Sequence, residues 1–520
     1  MTRHRIALIA DPHFHDSTGE FGQTGVTIAG RRHALLNWEQ TRSAGRAVNE
    51  SAMALRAALN RIATRGIRTV VIAGDYSDEG QIENLRRLSD LLHDAEVQFG
   101  LRIYVLPGNH DAYAVGGKHR AIRYATGSGT SELVTSDPAL AADVLSPAMF
   151  CPGLKEALAP VAHFGLRRRP GDLHWESPFG TSDQFEDRTF EAVAPDGSTA
   201  HRLIDASYLV EPEPGLWLLI LDATVFEPRS GITDPQRKRA FRDPTDAGWD
   251  AVLRIKPFLV DWIADVTRRA AAGGKLLIPV SHYPILPHWP NLTKVMPRSS
   301  LARRMPGPAV ATQLAKAGLR LHFGGHLHMD AMTSAGIITD ISLPATCAFP
   351  PAFAVLEGGT SALTMTRVSL GDLQPDPIAR EIYNAEGAPS PAKDFGSELV
   401  HRHRARAQSH RLTREMPDDL WPLLSSLTVA DFPRLIGASS VDLPEMSLSD
   451  LICDMLLMID GGASALAYLS HDRLADLRQV ASIQGHASDP PGQWIIDCIA
   501  FLKKALDRAM HDRGDRTLYP

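Results

Sequence analysis

Short apolar runs alternate with helix-like patterns over the first 110 residues of the chain. Residues 6–10, 69–73 and 101–106 are largely apolar, which is typical of buried strands. Between them, apolar side chains recur every three or four positions over residues 48–62 and 82–92, which is the spacing of one helix face. The alternation predicts an α/β fold in which parallel neighbouring strands are covered by helices.

The pattern changes after residue 111. Residues 112–200 are rich in Gly, Pro, Ser and Asp, and we interpret them as an inserted, cap-like region with a helix near 138–159. Apolar runs then resume and predict further strands, together with one long helix at 247–272. The further strands are predicted at 203–210, 216–221, 275–280, 319–323, 336–342, 352–356 and 361–369.

A cluster of prolines after residue 371 marks a second change. We interpret residues 371–384 as a linker and residues 385–520 as a helical C-terminal extension, since apolar positions there follow a helical spacing. Residues 1–370 then form one α/β domain that contains the insertion. If the protein forms an oligomer, we expect the C-terminal helices to make the contact.

Composition argues against a disordered chain and against a protein that its overall charge draws to nucleic acid or to a membrane. The chain has 520 residues, of which 44% are hydrophobic and 22% are charged, so it has enough apolar surface to fold. Its 54 basic and 60 acidic residues give a formal net charge of −6. This balance provides no overall attraction to nucleic acid or to an anionic membrane.

Histidine and cysteine usage points to one kind of metal site. The four cysteines form no Cys-x-x-Cys pair, which argues against a thiolate site, whereas the 21 histidines favour imidazole and carboxylate ligands. The apolar run at 6–10 is shorter than a signal-peptide core, and no run of about 20 apolar residues is evident. We therefore expect a cytoplasmic protein with no membrane span.

Five short polar motifs follow predicted strands directly. They are Asp11-Pro12-His13, Gly74-Asp75-Tyr76-Ser77-Asp78, Gly108-Asn109-His110-Asp111, Ser281-His282-Tyr283-Pro284 and Gly325-His326-Leu327-His328. Each motif alone is compatible with a simple turn, a capping residue or a buried structural histidine. Together they are more specific, because ligands in open α/β sheets bind beyond the carboxyl ends of the strands.

The motifs offer a set of oxygen and nitrogen donors without sulfur. These donors are Asp11, His13, Asp75, Asn109, His282, His326 and His328. One tetrahedral zinc takes about four ligands, so this set is too large for it. It fits two cations that share one bridging carboxylate, a type of site that clamps both oxygens of an in-line displacement at phosphorus.

The ordered motifs resemble the signature of the metallophosphoesterases, also called the calcineurin-like phosphoesterase superfamily. The resemblance covers about residues 1–370 and implies a four-layered α/β/β/α sandwich of two mixed sheets flanked by helices. The Gly-Asn-His-Asp motif resembles the bacterial phosphodiesterase-like branch. Asp78 stands where purple acid phosphatases have a metal-binding tyrosine, so the chain departs from that branch.

The resemblance also implies a role for each residue. One metal ion would be held by Asp11, His13 and His328, the second by Asn109, His282 and His326, and Asp75 would bridge them. His110 would assist the transition state or the leaving group, and Asp111 would orient His110. The cofactors would be two divalent or mixed-valence ions of Mn, Fe or Zn.

Three functions remain open at this point. The first is hydrolysis of a phosphodiester, or a phosphomonoester, in a small-molecule or nucleotide substrate by a hydroxide bridging the metals. Walls for it could come from the insertion and from a basic loop at 223–246. The second is a DNA-processing nuclease, which the net charge disfavours. The third is a non-catalytic binding module with a degenerate site, against which the complete donor set argues.

A basic run at 401–414 bears on the nuclease alternative. Its sequence is HRHRARAQSHRLTR, which suits either a surface that faces phosphate or a solvated helix face. We interpret it as a solvated face, and nucleic acid is therefore not an expected partner.

Overall fold

The computed structural model describes residues 3–127, 129–237, 239–415, 426–439, 443–487, 489–512 and 514–520. The strands in these ranges are β1 (His4–Ile9), β2 (Val26–Ile28), β3 (Arg31–His33), β4 (Thr69–Ala73), β5 (Arg102–Leu106), β6 (Ala121–Ala125), β7 (Ser131–Thr135), β8 (Val144–Leu145), β9 (His174–Glu176), β10 (Thr189–Val193), β11 (Ala200–Ile204), β12 (Tyr208–Glu213), β13 (Leu216–Leu221), β14 (Leu276–Ser281), β15 (Leu321–Gly324), β16 (Ala331–Ala335), β17 (Ile338–Ser342), β18 (Ala352–Gly358), β19 (Leu363–Ser369) and β20 (Arg516–Leu518).

The helices are numbered in the same way. They are α1 (Trp38–Ser43), α2 (Ser51–Thr64), α3 (Ile82–Phe99), α4 (Leu154–Leu158), α5 (Gly248–Ile255), α6 (Phe258–Ala272), α7 (Leu292–Val295), α8 (Ser300–Arg303), α9 (Pro308–Lys316), α10 (Pro377–Ala385), α11 (Phe395–Arg406), α12 (Leu412–Glu415), α13 (Phe432–Leu435), α14 (Leu448–Gly461), α15 (His471–Ala481) and α16 (Pro490–His511). A π-helical turn at Ala407–Arg411 joins α11 to α12.

Two mixed sheets form the centre of the molecule. The first has the order β20-β19-β18-β1-β4-β5, and its strands β1, β4 and β5 run parallel. The second has the order β16-β17-β15-β14-β13-β12-β9, with β13, β14, β15 and β17 parallel. Strand β4 is buried along its whole length, as expected for a parallel strand covered on both faces.

Both sheets contribute to one continuous hydrophobic core. Leu8 and Val71 of the first sheet belong to the same buried cluster as Leu218 and Ile278 of the second. Each such side chain contributes about 1.5–3 kcal/mol to folding by leaving water. The structure thus confirms the predicted α/β fold class of two mixed sheets flanked by helices.

Three predicted elements differ in detail. The long helix at 247–272 is divided into α5 and α6 at Pro257, because proline cannot donate the backbone hydrogen bond of a continuous helix. The strand at 203–210 is divided into β11 and β12, which belong to different sheets. The helix near 138–159 is reduced to α4 and short 3-10 turns.

The region 112–200 forms a small sheet, β6-β7-β8, and also supplies β9 at the edge of the second central sheet. It is therefore joined to the α/β core through backbone hydrogen bonds. Its role as a cap stays a prediction.

The C-terminal residues pack into the same core. Helix α10 occupies much of the predicted linker, and strand β20 pairs with β19, so the chain returns to the first central sheet near its end. Leu399, Leu456 and Leu502 belong to the buried cluster that contains both sheets. The proposed domain boundaries stay a prediction.

One segment has the length and apolar character of a membrane span, in contrast to the sequence expectation. It is Leu448–Tyr468, and 67% of its most apolar window is buried inside the protein. The core helix of a globular domain has the same properties, so this segment is weak evidence for a span.

Candidate metal centre

The five polar motifs converge at the carboxyl ends of five strands. Strands β1, β4 and β5 are neighbours in the first sheet, and β14 and β15 are neighbours in the second. Each motif begins within three residues of the end of its strand. The two sheets therefore bring together side chains that lie more than 300 residues apart in the sequence, and His13 and His328 are an example.

The backbone of the site adopts an unusual conformation. Asp11, His13, Asp75, His326 and His328 have positive φ angles of 47°, 42°, 46°, 67° and 53°. An L-residue in this region costs about 1–2 kcal/mol, so the fold holds these five side chains in place against local strain. Such strain is concentrated at functional sites in many proteins.

Three motif glycines leave room for ligand side chains. A Cβ atom at Gly74 would collide with His282, one at Gly108 with Asp75 and one at Gly325 with the Asp11 carboxylate. The glycine before each polar residue is thus required by the close approach of another motif.

The first ligand group consists of Asp11, His13 and His328. The Nε2 atoms of His13 and His328 are 3.0 Å apart, and His328 Nε2 is 3.4 Å from Asp11 Oδ1. Both Asp11 oxygens accept a hydrogen bond from the backbone N–H of His326 at 3.0 Å. Burial, together with the charge of Arg46, keeps the pKa of His13 well below its usual value, so its ring is neutral and can bind a metal.

The second group is centred on His282. Its Nδ1 donates to the Ala73 carbonyl oxygen at 3.0 Å, which leaves the lone pair of Nε2 available. That Nε2 lies 3.2 Å from Asn109 Oδ1 and 3.3 Å from Asp75 Oδ2. His326 lies close enough to Asp75 and His282 for all three to reach one ion.

Asp75 lies between the two groups. Its Oδ2 is 3.3 Å from His282 Nε2 and 3.7 Å from His13 Nε2, and its Oδ1 accepts from the backbone N–H of His110 at 2.8 Å. Burial favours the neutral carboxyl, but the imidazoles, His282 foremost, outweigh it and hold the pKa of Asp75 well below its usual range. An ionised carboxylate at this position is suited to bridge two cations.

The donor set fits metal ions. His326 Nε2 is buried and has no hydrogen-bond partner among the described residues, and burial lowers the pKa of this imidazole well below its usual value. The pKa of His282 is raised to about 9: burial opposes the charge, but Asp75 outweighs burial. A cation would replace that proton. Imidazole, carboxylate and amide donors without sulfur suit Mn, Fe or Zn.

His110 lies beside the ligand groups. Its Nδ1 donates to the Asp78 carbonyl oxygen at 2.8 Å, and its ring meets that of His13 edge to face, with centroids 4.9 Å apart. The same ring could also reach an ion together with His13 and Asp75. The hydrogen bond from Nδ1 leaves Nε2 as the nitrogen available to a bound molecule.

Asp111 has a different role from the predicted one. Its carboxylate accepts from the backbone N–H groups of Gly108, Tyr76 and Ser77 at 2.7, 3.2 and 2.7 Å, and from the Ser77 hydroxyl at 2.9 Å. The partner that orients the His110 ring is the Asp78 carbonyl oxygen, so the predicted contact between Asp111 and His110 is wrong. Asp111 instead joins the loops that follow β4 and β5.

A cavity of about 180 Å³ opens beside the ligands. Asp75, Asn109, His110, His326 and His328 are among the residues that line it. A second group of lining residues, which we call the C-terminal wall, was not assigned to the site by the sequence reasoning. These wall residues include Arg304, Leu399, Arg402, His403, Arg406, Arg411, Glu415 and Asp460.

The basic run at 401–414 supplies much of this wall. Arg402 pairs with Glu50 at 2.5 Å, and Arg411 and His403 both pair with Asp460. The interpretation of the run as a solvated helix face is therefore wrong for these residues. Its density of arginine was the available signal, but its position in the chain did not reveal which surface it faces.

The walls predicted from the insertion and the basic loop do meet, at a second cavity of about 350 Å³. Tyr113, Lys118 and Phe150 lie on one side of it, and Arg229 and Arg242 lie on the other. Lys238 of the same loop lies outside the described residues.

Comparison with known protein families finds a match over the first three of the five motifs. The family model for calcineurin-like phosphoesterases matches residues 4–153, which contain the first three motifs. No curated protein matches the chain.

Solved structures also resemble the chain. A dimetal phosphatase from Danio rerio has 14% identity and a TM-score of 0.39, covering 70% of this chain and 96% of that one. A putative 5'-nucleotidase from Staphylococcus aureus has 10% identity and a TM-score of 0.34, covering 87% and 72%. The phosphopantetheinyl hydrolase from Mycobacterium tuberculosis has 11% identity and a TM-score of 0.24, covering 66% and 90%. The family comparison identifies residues 4–153 as a calcineurin-like phosphoesterase domain.

Proposed function

We propose that this protein is a dinuclear metal-dependent hydrolase of phosphoric esters that acts on a small-molecule or nucleotide phosphodiester. The observation that carries the proposal is the convergence of seven oxygen and nitrogen donors into two groups that share Asp75. Such an arrangement suits two ions that hold the attacking and leaving oxygens of an in-line displacement.

Each ion has its own set of protein ligands in this proposal. Asp11, His13 and His328 would hold the first ion. Asn109, His282 and His326 would hold the second, and Asp75 would be shared by both. Bound Mn, Fe or Zn ions would supply an activated water and stabilise negative charge at the phosphoryl group.

The protein residues orient the substrate and the ligands. His110 is fixed by its hydrogen bond to Asp78 and lines the cavity. When the ring carries a proton on both nitrogens, its Nε2–H can stabilise the phosphoryl oxygens or give a proton to the leaving oxygen. Asp111 holds the loops after β4 and β5 at a fixed separation, and thereby positions Asp75 and Asn109.

The shape of the site favours a small substrate over DNA. Helix α11 and the turns that follow it close one side of the cavity, and Arg402 and Arg411 pair with carboxylates of the protein itself. The basic run therefore provides less support for a nuclease than its sequence suggested. The Gly-Asn-His-Asp motif supports a diester over a monoester, since it resembles that of many bacterial phosphodiesterases.

Hydrolysis of bis-p-nitrophenyl phosphate in the presence of Mn²⁺ tests the proposal. We expect metal-dependent release of p-nitrophenol by the wild-type protein and its loss in Asp75→Asn and His326→Ala. His471→Ala, a change of an exposed histidine on α15, is the matched control and should retain the rate. The absence of Mn²⁺-dependent hydrolysis in the wild type would refute the proposal.

A further inference from the structure

The residues that line this cavity include more arginines than carboxylates. The arginines are Arg46, Arg304, Arg402, Arg406 and Arg411. Apart from Asp75 of the metal centre, the acidic residues of the lining are Glu415 and Asp460. Two metal ions would add further positive charge to the cavity.

Most of these arginines have partners in the protein. Arg46 pairs with Asp78 and Glu79 at 2.6 and 3.1 Å. Arg402 pairs with Glu50 and with Glu398, the latter at 3.3 Å.

Arg411 and Arg304 differ in how closely they are paired. Arg411 lies 3.1 Å from Asp460 and 3.7 Å from Glu415. Within the described part of the chain, Arg304 makes a distant pair with Asp246, at 3.8 Å through its Nε.

Arg406 is the exception. Among the residues that the structure describes, no carboxylate lies within ion-pair distance of its guanidinium, and the charges of Asp460 and Glu415 act on it only from farther away. The group lies directly against the backbone of Gly45, where an added Cβ atom would be 2.7 Å from Nη1. Burial, followed by the charge of Arg411, lowers the pKa of Arg406 to about 10.

A cation in this position is unfavourable without an anion. The Arg406 side chain is half-buried and faces the positive charges of Arg411 and Arg304, so an anion bound beside it would stabilise it. Arginine presents a planar fork of donors that matches the oxygens of a phosphate or a carboxylate. The cavity therefore has a place for an anion beside Arg406 and Arg304.

We infer that the substrate carries a second anionic group, besides the phosphoryl group that reacts, and that Arg406 together with Arg304 binds it. The inference rests on the proposed function, because the metal centre holds the reacting group. A phosphodiester has a single negative charge, so its reacting group alone would leave no anion for Arg406 and Arg304. The second group is a phosphate or a carboxylate, since both fit the guanidinium fork.

Three phosphonates of equal chain length distinguish binding at the metal centre from binding of a second anion. Propylphosphonate has no second anion, 3-phosphonopropionate adds a carboxylate, and propane-1,3-diphosphonate adds a phosphonate. Calorimetric titration of the Mn²⁺-loaded protein with each of them measures binding without any need for turnover. We expect at least one of the two doubly anionic compounds to bind about tenfold more tightly than propylphosphonate, since a charged hydrogen bond contributes about that much.

Variants of the protein test whether Arg406 causes this gain in affinity. In Arg406→Met the gain should fall to less than about twofold, because the guanidinium fork is lost. Arg434→Met removes a C-terminal arginine whose side chain is 73% exposed, and it should keep the gain. Gly45→Ala leaves the charge in place but displaces the guanidinium, so it should reduce the gain even if Arg406→Met fails to fold.

The outcomes distinguish this inference from the proposed function. If propylphosphonate binds to the wild type but not to Asp75→Asn, the phosphonate contacts the metal centre and the proposed function is supported. Equal affinities of the wild type for all three compounds would then overturn the second subsite alone. A gain that Arg406→Met and Gly45→Ala leave intact would overturn it as well. The preferred compound identifies the second group as carboxylate or phosphate.

Discussion

The metal centre and the C-terminal wall enclose one cavity but are constructed differently. The ligands of the metal centre follow five strand ends, and several of them have strained backbone conformations beside glycines that tolerate no side chain. The wall is formed largely by residues of helices and of the π-helical turn at Ala407–Arg411, and side-chain ion pairs such as Arg402 with Glu50 and Arg411 with Asp460 connect it to the rest of the protein.

We relate this difference to two functions, metal binding and substrate selection. Metal chemistry requires ligand positions that hardly vary, and rigid strand ends provide them. Substrate selection depends on side chains that can change without disturbing the strands. We therefore expect changes in the metal centre to alter the reaction itself, and changes in the wall to alter which substrate is bound.

The largest expected effect comes from removing the wall together with the rest of the C-terminal region. Deletion of residues 385–520 removes strand β20 and exposes core side chains that Leu456 and Leu502 now cover. We expect the truncated chain to lose cooperative thermal unfolding, measured by circular dichroism. A soluble fragment with a sharp transition and intact Mn²⁺ binding would show that this region is a separate module.

The second-largest expected effect comes from weakening the ion pair between Arg402 of the C-terminal wall and Glu50. Glu50→Gln leaves Arg402 buried with Glu398 as its remaining carboxylate, so we expect a loss of about 3 kcal/mol in unfolding free energy. Chemical denaturation measures this loss. Glu381→Gln, at an exposed position of α10, is the control and should change stability little. Equal stabilities of the two variants would mean that the buried pair does not anchor the wall.

A smaller effect is expected from one methyl group at the metal centre. In Gly108→Ala, the new Cβ atom would press against Asp75 and lie 2.8 Å from His282 Nε2. We expect Mn²⁺ affinity, measured by calorimetry, to fall by about 10–100-fold, as it does when supporting residues of metal sites are changed.

A second glycine provides the matched control for that substitution. Gly273→Ala, where the nearest atom lies at 3.3 Å, should bind Mn²⁺ like the wild type. If Gly108→Ala also retains the wild-type affinity for Mn²⁺, the strand ends do not fix the positions of the metal ligands.

The smallest expected effect distinguishes two adjacent arginines, Arg303 and Arg304. Arg304 lines the cavity, whereas its neighbour Arg303 is 60% exposed and pairs with Asp246. Arg304→Met should raise the KM for a doubly anionic substrate by about three- to tenfold with little change in kcat, because one weak charged contact is lost. Arg303→Met should leave both constants unchanged. A fall in kcat alone for Arg304→Met would place this arginine at the reacting group.

Much of the metal centre could be predicted from the sequence for a local reason. Each motif directly follows an apolar run that forms a strand, and strand ends in neighbouring parallel strands meet at one edge. Asp75 and His282 could therefore be placed near each other although 207 residues separate them. The contact partner of Asp111 could not be predicted, since its hydrogen bonds to backbone N–H groups depend on loop geometry.

The wall could not be predicted because nothing local determines it. Arg406 reaches the cavity only because α11 packs beside the loop that contains Gly45, and that packing depends on contacts between distant parts of the chain. The basic composition of 401–414 was visible, but a helix presents its charges to whichever neighbour it meets. The cap predicted for residues 112–200 was likewise assigned from composition alone.

The number of Mn²⁺ ions bound per chain tests the central claim most directly. Equilibrium dialysis followed by elemental analysis of the wild-type protein and of Asp75→Asn provides that number. We expect two ions per wild-type chain and a loss of this stoichiometry in Asp75→Asn, because the bridging carboxylate is removed. A wild type that binds no Mn²⁺, or an Asp75→Asn variant that binds two ions as tightly as the wild type, would contradict it.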